Sequence, residues 1–337
     1  MRNIYDLTIK ELEDYFISIN EKKFRAVQVY EALYKRRVTS FDDMTNISKE
    51  VREKLKQDFS FYKIKMLVKQ QGKNVNKYLF ELEDGNKIES VLMFHDYGTS
   101  ICVSSQVGCN MTCAFCESGR LKKVRNLLAY EIVQQILQIE EDINKRITHV
   151  VVMGIGEPFD NYDNVLRFVK IINCGKGIDI GSRHITISTC GVIPGIKKFM
   201  NEEGQVNLAI SLHAPNNTLR SRIMPINKAY PLNELMETIK EYINKTNRRV
   251  TFEYIMLDNV NDSEENAKEL AALLKEINCY VNLIPYNETE NIEFKRTKEW
   301  KIMKFYDILK KNKINVTIRK EFGGSVDAAC GQLRANN

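Results

Sequence analysis

From about residue 99 onward the chain alternates strand-like and helix-like segments, and nothing else in the sequence restricts the fold as much. Strands are predicted at 101–105, 149–153, 185–189, 206–212, 251–257 and 281–285, with amphipathic helices at 129–141, 232–245, 263–277 and 298–311. Strands separated by helices of this length need crossover connections, which build βαβ units and a parallel sheet. Six such units fall short of the eight that close a full barrel. The expected architecture is therefore α/β, an incomplete (β/α)6 barrel with a lateral opening wide enough for a macromolecular substrate.

The preceding residues read differently. Thr8 and Glu11 form a capping box ahead of Leu12, Tyr15 and Phe16, and further helices are predicted at 24–36 and 49–59. Alternating segments at 77–82 and 87–93 flank Asp84-Gly85, a hairpin signal. The expected division is a helical accessory domain at 1–60, a β-hairpin extension at 61–98, the partial barrel at 99–320, and a C-terminal loop and tail at 321–337. No apolar run reaches the ~18 residues of a membrane span, and the amphipathic, acidic start is unlike a signal peptide. A cytoplasmic location is expected, which makes the eight cysteines more suited to metal or catalytic chemistry than to disulfides. The net charge of +6 permits a nucleic-acid partner without requiring one.

The first barrel strand runs into Cys109, Cys113 and Cys116, spaced C-x3-C-x2-C. Three thiolates can hold three irons of a [4Fe–4S] cube and leave the fourth open to a ligand. Three ordinary cysteines, or a zinc knuckle short of one ligand, remain open on spacing alone. Parallel α/β folds bind ligands at the C-terminal strand edge, so the strand ends matter next. They carry Gly154-Ile-Gly156-Glu157-Pro158, Ser188-Thr189-Cys190-Gly191, Ser211-Leu212-His213-Ala214-Pro215 and Ile284-Pro285-Tyr286-Asn287. Glycines admit a close backbone approach, and the hydroxyl, amide and imidazole groups suit a ribose, a carboxylate or an adenine edge. Taken singly, each is as well read as a helix cap, and His213 as a structural histidine. Glu89 alone reads as a solvated strand residue. Cys102, in the strand feeding the loop, and Cys330, in a glycine-preceded C-terminal segment, read alone as inert thiols. Arg120, Lys122, Lys123 and Arg125, then Arg220, Arg222 and Lys228, then Arg319 and Lys320, form three basic groups suited to phosphate contacts.

In order along the chain, VSSQVGCNMTCAFC, GIGEPFDNYDNV, HITISTCGVIP, ISLHAP, MPINKAYPL, EYIMLDNVND and DAACGQL resemble the RlmN/Cfr family of radical S-adenosylmethionine (SAM) RNA methyltransferases. The resemblance covers essentially the whole chain. It implies a radical SAM barrel with one [4Fe–4S] cluster on Cys109, Cys113 and Cys116, whose open iron chelates SAM. Gly156, Glu157, Ser188, Ser211, Leu212, His213 and Asn287 would form the SAM pocket. Two SAM molecules would serve each turnover. The first methylates the sulfur of Cys330, and the second yields a 5′-deoxyadenosyl radical that activates that methyl group for addition to an adenine carbon. Cys102 would resolve the protein–RNA adduct through a transient disulfide with Cys330, and Glu89 matches a family proton acceptor. Implied partners are 23S rRNA, tRNA and a one-electron donor such as flavodoxin or ferredoxin, with no membrane and a monomeric enzyme. Pro158 and Pro285 match the RlmN branch, which methylates adenine C2, whereas Phe322-Gly323 is closer to the Cfr branch, which methylates C8. Glu117, directly after Cys116, departs from the small residue usual there.

Overall fold

A computed structural model describes residues 1–319 of the protein; Cys330 and the rest of 320–337 lie outside the described residues. One sheet of ten strands dominates, and its strands lie side by side in the order in which the chain makes them. They are β1 (Lys65–Gln71), β2 (Val75–Glu81), β3 (Lys87–His95), β4 (Gly98–Val103), β5 (His149–Val152), β6 (Ile185–Thr189), β7 (Asn207–Ser211), β8 (Val250–Met256), β9 (Cys279–Pro285) and β10 (Val316–Ile318). Strands β1 to β4 pair antiparallel, and β4 to β10 pair parallel throughout. The outer edges of β1 and β10 do not pair with each other, so the barrel is open.

All six expected parallel strands are present. β1 and β10 extend the sheet at its two edges. The first has alternate exposed positions and few apolar residues to announce it, and the second is only three residues long. The hairpin at Asp84-Gly85 is present and continues through β3 into β4, so it belongs to the same sheet as the barrel.

Eleven α-helices complete the described residues: α1 (Ile9–Ser18), α2 (Phe24–Tyr34), α3 (Lys49–Asp58), α4 (Glu117–Arg120), α5 (Ala129–Ile143), α6 (Tyr162–Ile172), α7 (Ile193–Phe199), α8 (Asn217–Ile223), α9 (Leu232–Thr246), α10 (Glu264–Leu274) and α11 (Glu299–Lys311). Parallel strands covered by helices on both faces read as continuous apolar runs, but here the strands alternate. In β9, Cys279, Val281, Leu283 and Pro285 are buried while Tyr280, Asn282 and Ile284 are half-buried. The first set packs into the helical layer, and the second lines an inner wall that keeps polar residues and partial exposure. The functional groups sit on that wall and at its C-terminal edge.

Residues 1–60 are joined to the barrel through the same apolar core, with Ile4, Tyr5, Leu12, Phe16 and Leu33 almost fully buried. Tyr5 meets Tyr34 and Phe61 edge-on. The capping box is as expected: Thr8 Oγ1 accepts from Glu11 N at 3.3 Å and Glu11 Oε2 accepts from Thr8 N at 2.9 Å. Glu11 also pairs with Arg167 of α6, Asp6 Oδ1 accepts from Tyr130 N of α5, and Arg37 pairs with Glu140. Burial opposes ionisation of Glu11, but the hydrogen bonds from Arg167, Thr8 and Arg2 prevail and hold its carboxyl at about 2. A depressed carboxyl stabilises the fold above its unfolded value and loses that contribution as pH falls through its folded value. Glu11→Gln should therefore lower Tm by a constant amount above pH ~5. The difference from wild type should shrink as the pH is taken down towards 2, as followed by circular dichroism.

Candidate active site

The cysteine loop begins where β4 ends. Residues 104–106 are laced to the turn after β5: Ser105 N and Gln106 N donate to Ile155 O, Ile155 N donates to Ser104 Oγ, and Glu157 N donates to Gln106 Oε1 at 2.9 Å. Gly154 and Gly156 are needed for this approach. A Cβ at Gly154 would lie 2.7 Å from Val103 O, and one at Gly156, where φ is +110°, 2.6 Å from Gln106 Cβ. The close approach that these glycines permit is thus to the cysteine-bearing segment itself. A two-stranded pairing of Gln106–Val107 with Arg125–Asn126 closes the loop at its base, aided by Cys109 N donating to Leu121 O at 2.9 Å. At the far end, Ala114 N donates to Ile223 O of α8, and the Phe115 ring meets His213 edge-on at 4.9 Å.

Cys109, Cys113 and Cys116 are electrostatic neighbours inside this loop. Burial pushes the Cys109 thiol up to about 12 and raises the other two, so ligation would displace protons. Backbone N–H groups of Ser118 and Gly119 oppose the rise at Cys116, and donors of that kind suit a thiolate bound to iron. Among the described residues no three His, Cys, Asp or Glu side chains are drawn together tightly enough to hold a single metal ion. Three neighbouring thiols in one loop are the donor set that a [4Fe–4S] cube with one open iron takes. Glu117, next in line, is 2% exposed; its Oε2 lies 3.4 Å from Arg120 Nη1, and its Oε1 has no hydrogen-bond partner. Buried Tyr286, directly after β9, lies close to Glu117 and Cys116, with its hydroxyl beside Thr289. Native folds rarely leave buried polar atoms orphaned, so the unpartnered Glu117 oxygen beside the cysteines suits a polar group bound there.

The strand-end residues do gather at this edge, in several roles. Glu157 is buried, with Oε2 accepting from Cys190 N at 2.8 Å and Oε1 from Phe159 N at 2.9 Å; burial raises its carboxyl against those bonds. It ties two strand ends together and keeps lone pairs free for a further donor. Ser188 and Ser211 lie on the inner wall at the ends of β6 and β7. Leu212 is fully buried, so only its backbone can meet a ligand, and its carbonyl already accepts from Arg220. His213 has φ +57° and its Nδ1 accepts from Ile255 N at 3.0 Å, which leaves the proton on Nε2. Burial, aided by Arg220, pulls the imidazole down to about 3, so it stays neutral. Asn287 follows β9 half-buried at the same edge.

Arg220 does not serve as a phosphate contact. It is 0% exposed and donates to Cys190 O at 2.6 Å, Ser211 O at 3.2 Å, Leu212 O at 3.2 Å and Asn227 Oδ1 at 3.0 Å. Its only signal in the sequence was its place in an apolar-spaced helix after a strand end. It braces two strand ends and places a positive charge beside Cys113. Arg125 is likewise committed, to Glu131 at 2.8 Å and Asp84 at 2.6 Å. Arg319 turns onto the inner wall, where Nη2 meets Met93 Sδ at 3.8 Å. Arg120, Lys122, Arg222 and Lys228 remain exposed.

Further along that wall the structure corrects the reading of Glu89. It is 3% exposed rather than solvated, and its Oε2 lies 3.4 Å from Nζ of Lys77, itself 1% exposed. Cys102 stands on the same wall, in register with Val91, which pairs in turn with Lys77. Burial pushes its thiol up to about 11, opposed by Arg319.

Against this geometry, residues 2–60 match the ribosomal RNA large subunit methyltransferase N-terminal domain, and residues 103–271 match the radical SAM superfamily. Three relatives carry the name "Probable dual-specificity RNA methyltransferase RlmN". That of Spiroplasma citri is 54% identical, covering 100% of this chain and 98% of its own. Those of Streptococcus thermophilus CNRZ 1066 and Enterococcus faecalis V583 are each 55% identical over 99% of this chain, and 88% and 96% of their own. The chain belongs to the RlmN family of radical SAM RNA methyltransferases. A crystal structure of a radical SAM methyltransferase from Sphaerobacter thermophilus superimposes with a TM-score of 0.93 at 40% identity, covering 98% of this chain and 99% of that one. Membership brings with it a [4Fe–4S] cluster and SAM. No helix among the described residues is long and apolar enough to cross a membrane.

Removing the Arg220 guanidinium would strand buried acceptors that now receive charged donors. Arg220→Met should destabilise the apoprotein by about 3 kcal/mol, since a charged hydrogen bond contributes ~1.5–3 kcal/mol. Denaturant unfolding would measure the loss, and iron bound per chain after anaerobic reconstitution should fall with it.

Proposed function

We propose that this enzyme methylates C2 of an adenosine in 23S rRNA at the peptidyl-transferase centre, and of an adenosine beside the anticodon in tRNA. The reading rests first on the full-length RlmN relatives. The observation that carries it within this chain is the meeting of Cys102 and Glu89 on one inner wall, on the strands that lead into the cysteine loop.

Cys109, Cys113 and Cys116 would hold the cluster, with SAM on its open iron between Gly156, Glu157, Ser188, Ser211, the Leu212 backbone, His213 and Asn287. When bound, cluster and SAM supply the 5′-deoxyadenosyl radical, with the starting electron from a donor of flavodoxin or ferredoxin type. The remaining steps belong to the chain. Cys330 carries the methyl group on its sulfur, placed there by an earlier SAM, and its methylene joins the adenine ring. Glu89 accepts the ring proton, and the odd electron left by the radical addition passes to a one-electron acceptor, a role the cluster would supply. Cys102 attacks the Cys330 sulfur, and the new S–S bond forms as the bond from sulfur to the methylene carbon breaks; that carbon then gains a proton to become the methyl group. A thiol held at about 11 by burial is a poor nucleophile, and the Arg319 and Lys77 charges near it favour the thiolate that this step needs. The helical unit at 1–60 grips folded RNA, with exposed Arg120, Lys122, Arg222 and Lys228 near the site mouth for phosphates.

Anaerobic turnover on unmodified 23S rRNA and tRNA, read by nucleoside mass spectrometry, should give 2-methyladenosine; 8-methyladenosine would overturn the C2 assignment. Cys102→Ala should accumulate protein covalently bound to RNA on a denaturing gel. Intact methylation with no adduct would remove Cys102 from the resolving role.

A further inference from the structure

The sheet carries a lysine where its fold does not need one. Alternation along β2 sends Tyr78 to the helical layer, where its hydroxyl donates to Asp142 of α5 at 2.8 Å. Its neighbour Lys77 therefore faces the inner wall. Cross-strand register sets Lys77 opposite Val91 and Val91 opposite Cys102, with Glu89 two residues before Val91 on the same face. The Lys77 and Glu89 side chains are 1% and 3% exposed, with Nζ and Oε2 3.4 Å apart. On the same face Leu79, opposite Glu89, and Val75, two residues before Lys77, are buried and apolar, while Phe80, Ile88 and Leu92 are buried behind them on the helical side of the sheet. A well-packed apolar pair usually serves stability as well as a buried ion pair or better, so stability alone does not explain this one.

We propose that Lys77 is a positioning residue for proton removal: its ammonium keeps the Glu89 carboxylate ionised and held in place on the inner wall, ready to accept the adenine ring proton. The proposal rests on the reading in which Glu89 takes the ring proton. A carboxylate buried among apolar side chains with no cation beside it tends to neutralise, and a neutral carboxyl cannot accept that proton. In the step itself the ring carbon loses its proton to a Glu89 oxygen, the electron pair of the C–H bond stays in the ring, the odd electron left by the radical addition passes to a one-electron acceptor (a role the cluster would supply), and Lys77 keeps its own proton. Glu89 later returns the proton to solvent. Charged and titratable groups on this face among the described residues include Lys77 and Glu81 from β2, Lys87 and Glu89 from β3, Cys102 from β4, Glu253 from β8 and Arg319 beyond β10. Of these, Lys77 is the cation in ion-pair contact with Glu89, while Arg319 reaches the wall at Met93.

The test uses the full-length reconstituted enzyme with unmodified RNA, following deoxyadenosine, covalent adduct and methylated product across a pH series. Lys77→Met should still cleave SAM and form adduct, but the rising limb of its release profile should be displaced upward by about one pH unit, so that release is about tenfold slower at a pH on that limb. Lys77→Arg should restore the profile; Lys77→Gln provides a polar replacement of similar length should the methionine variant fold poorly. A structural role alone would change yield or Tm without moving the profile. Release from Lys77→Met or Lys77→Gln with the wild-type rate and profile would overturn the proposal. Glu89→Gln separates the two levels. If it is slow while the Lys77 variants are unchanged, only the role of Lys77 falls; if it too releases at the wild-type rate, the acceptor reading of Glu89 falls, and the proposal with it.

Discussion

The site depends on how three residues leave β4. Ser104, Ser105 and Gln106 exchange hydrogen bonds with the turn between Gly154 and Glu157, and that turn comes too close to admit a side chain at either glycine. The cysteine loop is thereby fixed to the second strand end, and Glu157 carries the connection on to Cys190 at the third. Arg220 then joins the third end to the fourth through the carbonyls of Cys190, Ser211 and Leu212. A chain of hydrogen bonds runs along the C-terminal edge of the sheet, so a group bound by the loop has a defined position relative to the strand ends. Rigid elements supporting a reactive centre in this way reduce the reorganisation that the reaction requires.

Buried charge is distributed unevenly around that edge. Arg220 lies beside the Cys113 and Cys190 thiols and is otherwise held by neutral acceptors, so a thiolate at Cys113 would compensate its charge. Lys77 and Glu89 compensate each other on the inner wall. Glu253, in register with Ser211 and Asn282, is raised by burial and steadied by Asn282 Nδ2 at 2.8 Å and by Arg319. Groups of this kind cost desolvation free energy, and here they concentrate on the inner wall and strand ends while the helical layer is packed with Ile, Leu, Val and Phe.

Local signals reported their elements well. Thr8 and Glu11 announced α1 because a cap is made within four residues, and Asp84-Gly85 announced the hairpin because a turn needs a positive φ, here +79° at Gly85. β1 escaped because an edge strand with one exposed face needs few apolar residues. The basic residues were the least legible. Arg125, Arg220 and Arg319 look alike in sequence to Arg120 and Arg222, but the first three meet acceptors 6 to 226 positions away and the others do not bury.

The sequence by itself determined the parallel βα order, the cysteine spacing, the glycine turn and the family resemblance, because each is written in neighbouring residues or in a repeating period. Only the tertiary structure decided that Glu89 is buried, that Lys77 lies against it, and that Cys102 shares their wall. Those relations come from cross-strand register, in which a shift of one residue would send every side chain to the opposite face. No local pattern in β2, β3 or β4 specifies that register; the packing of their apolar faces on the helices does.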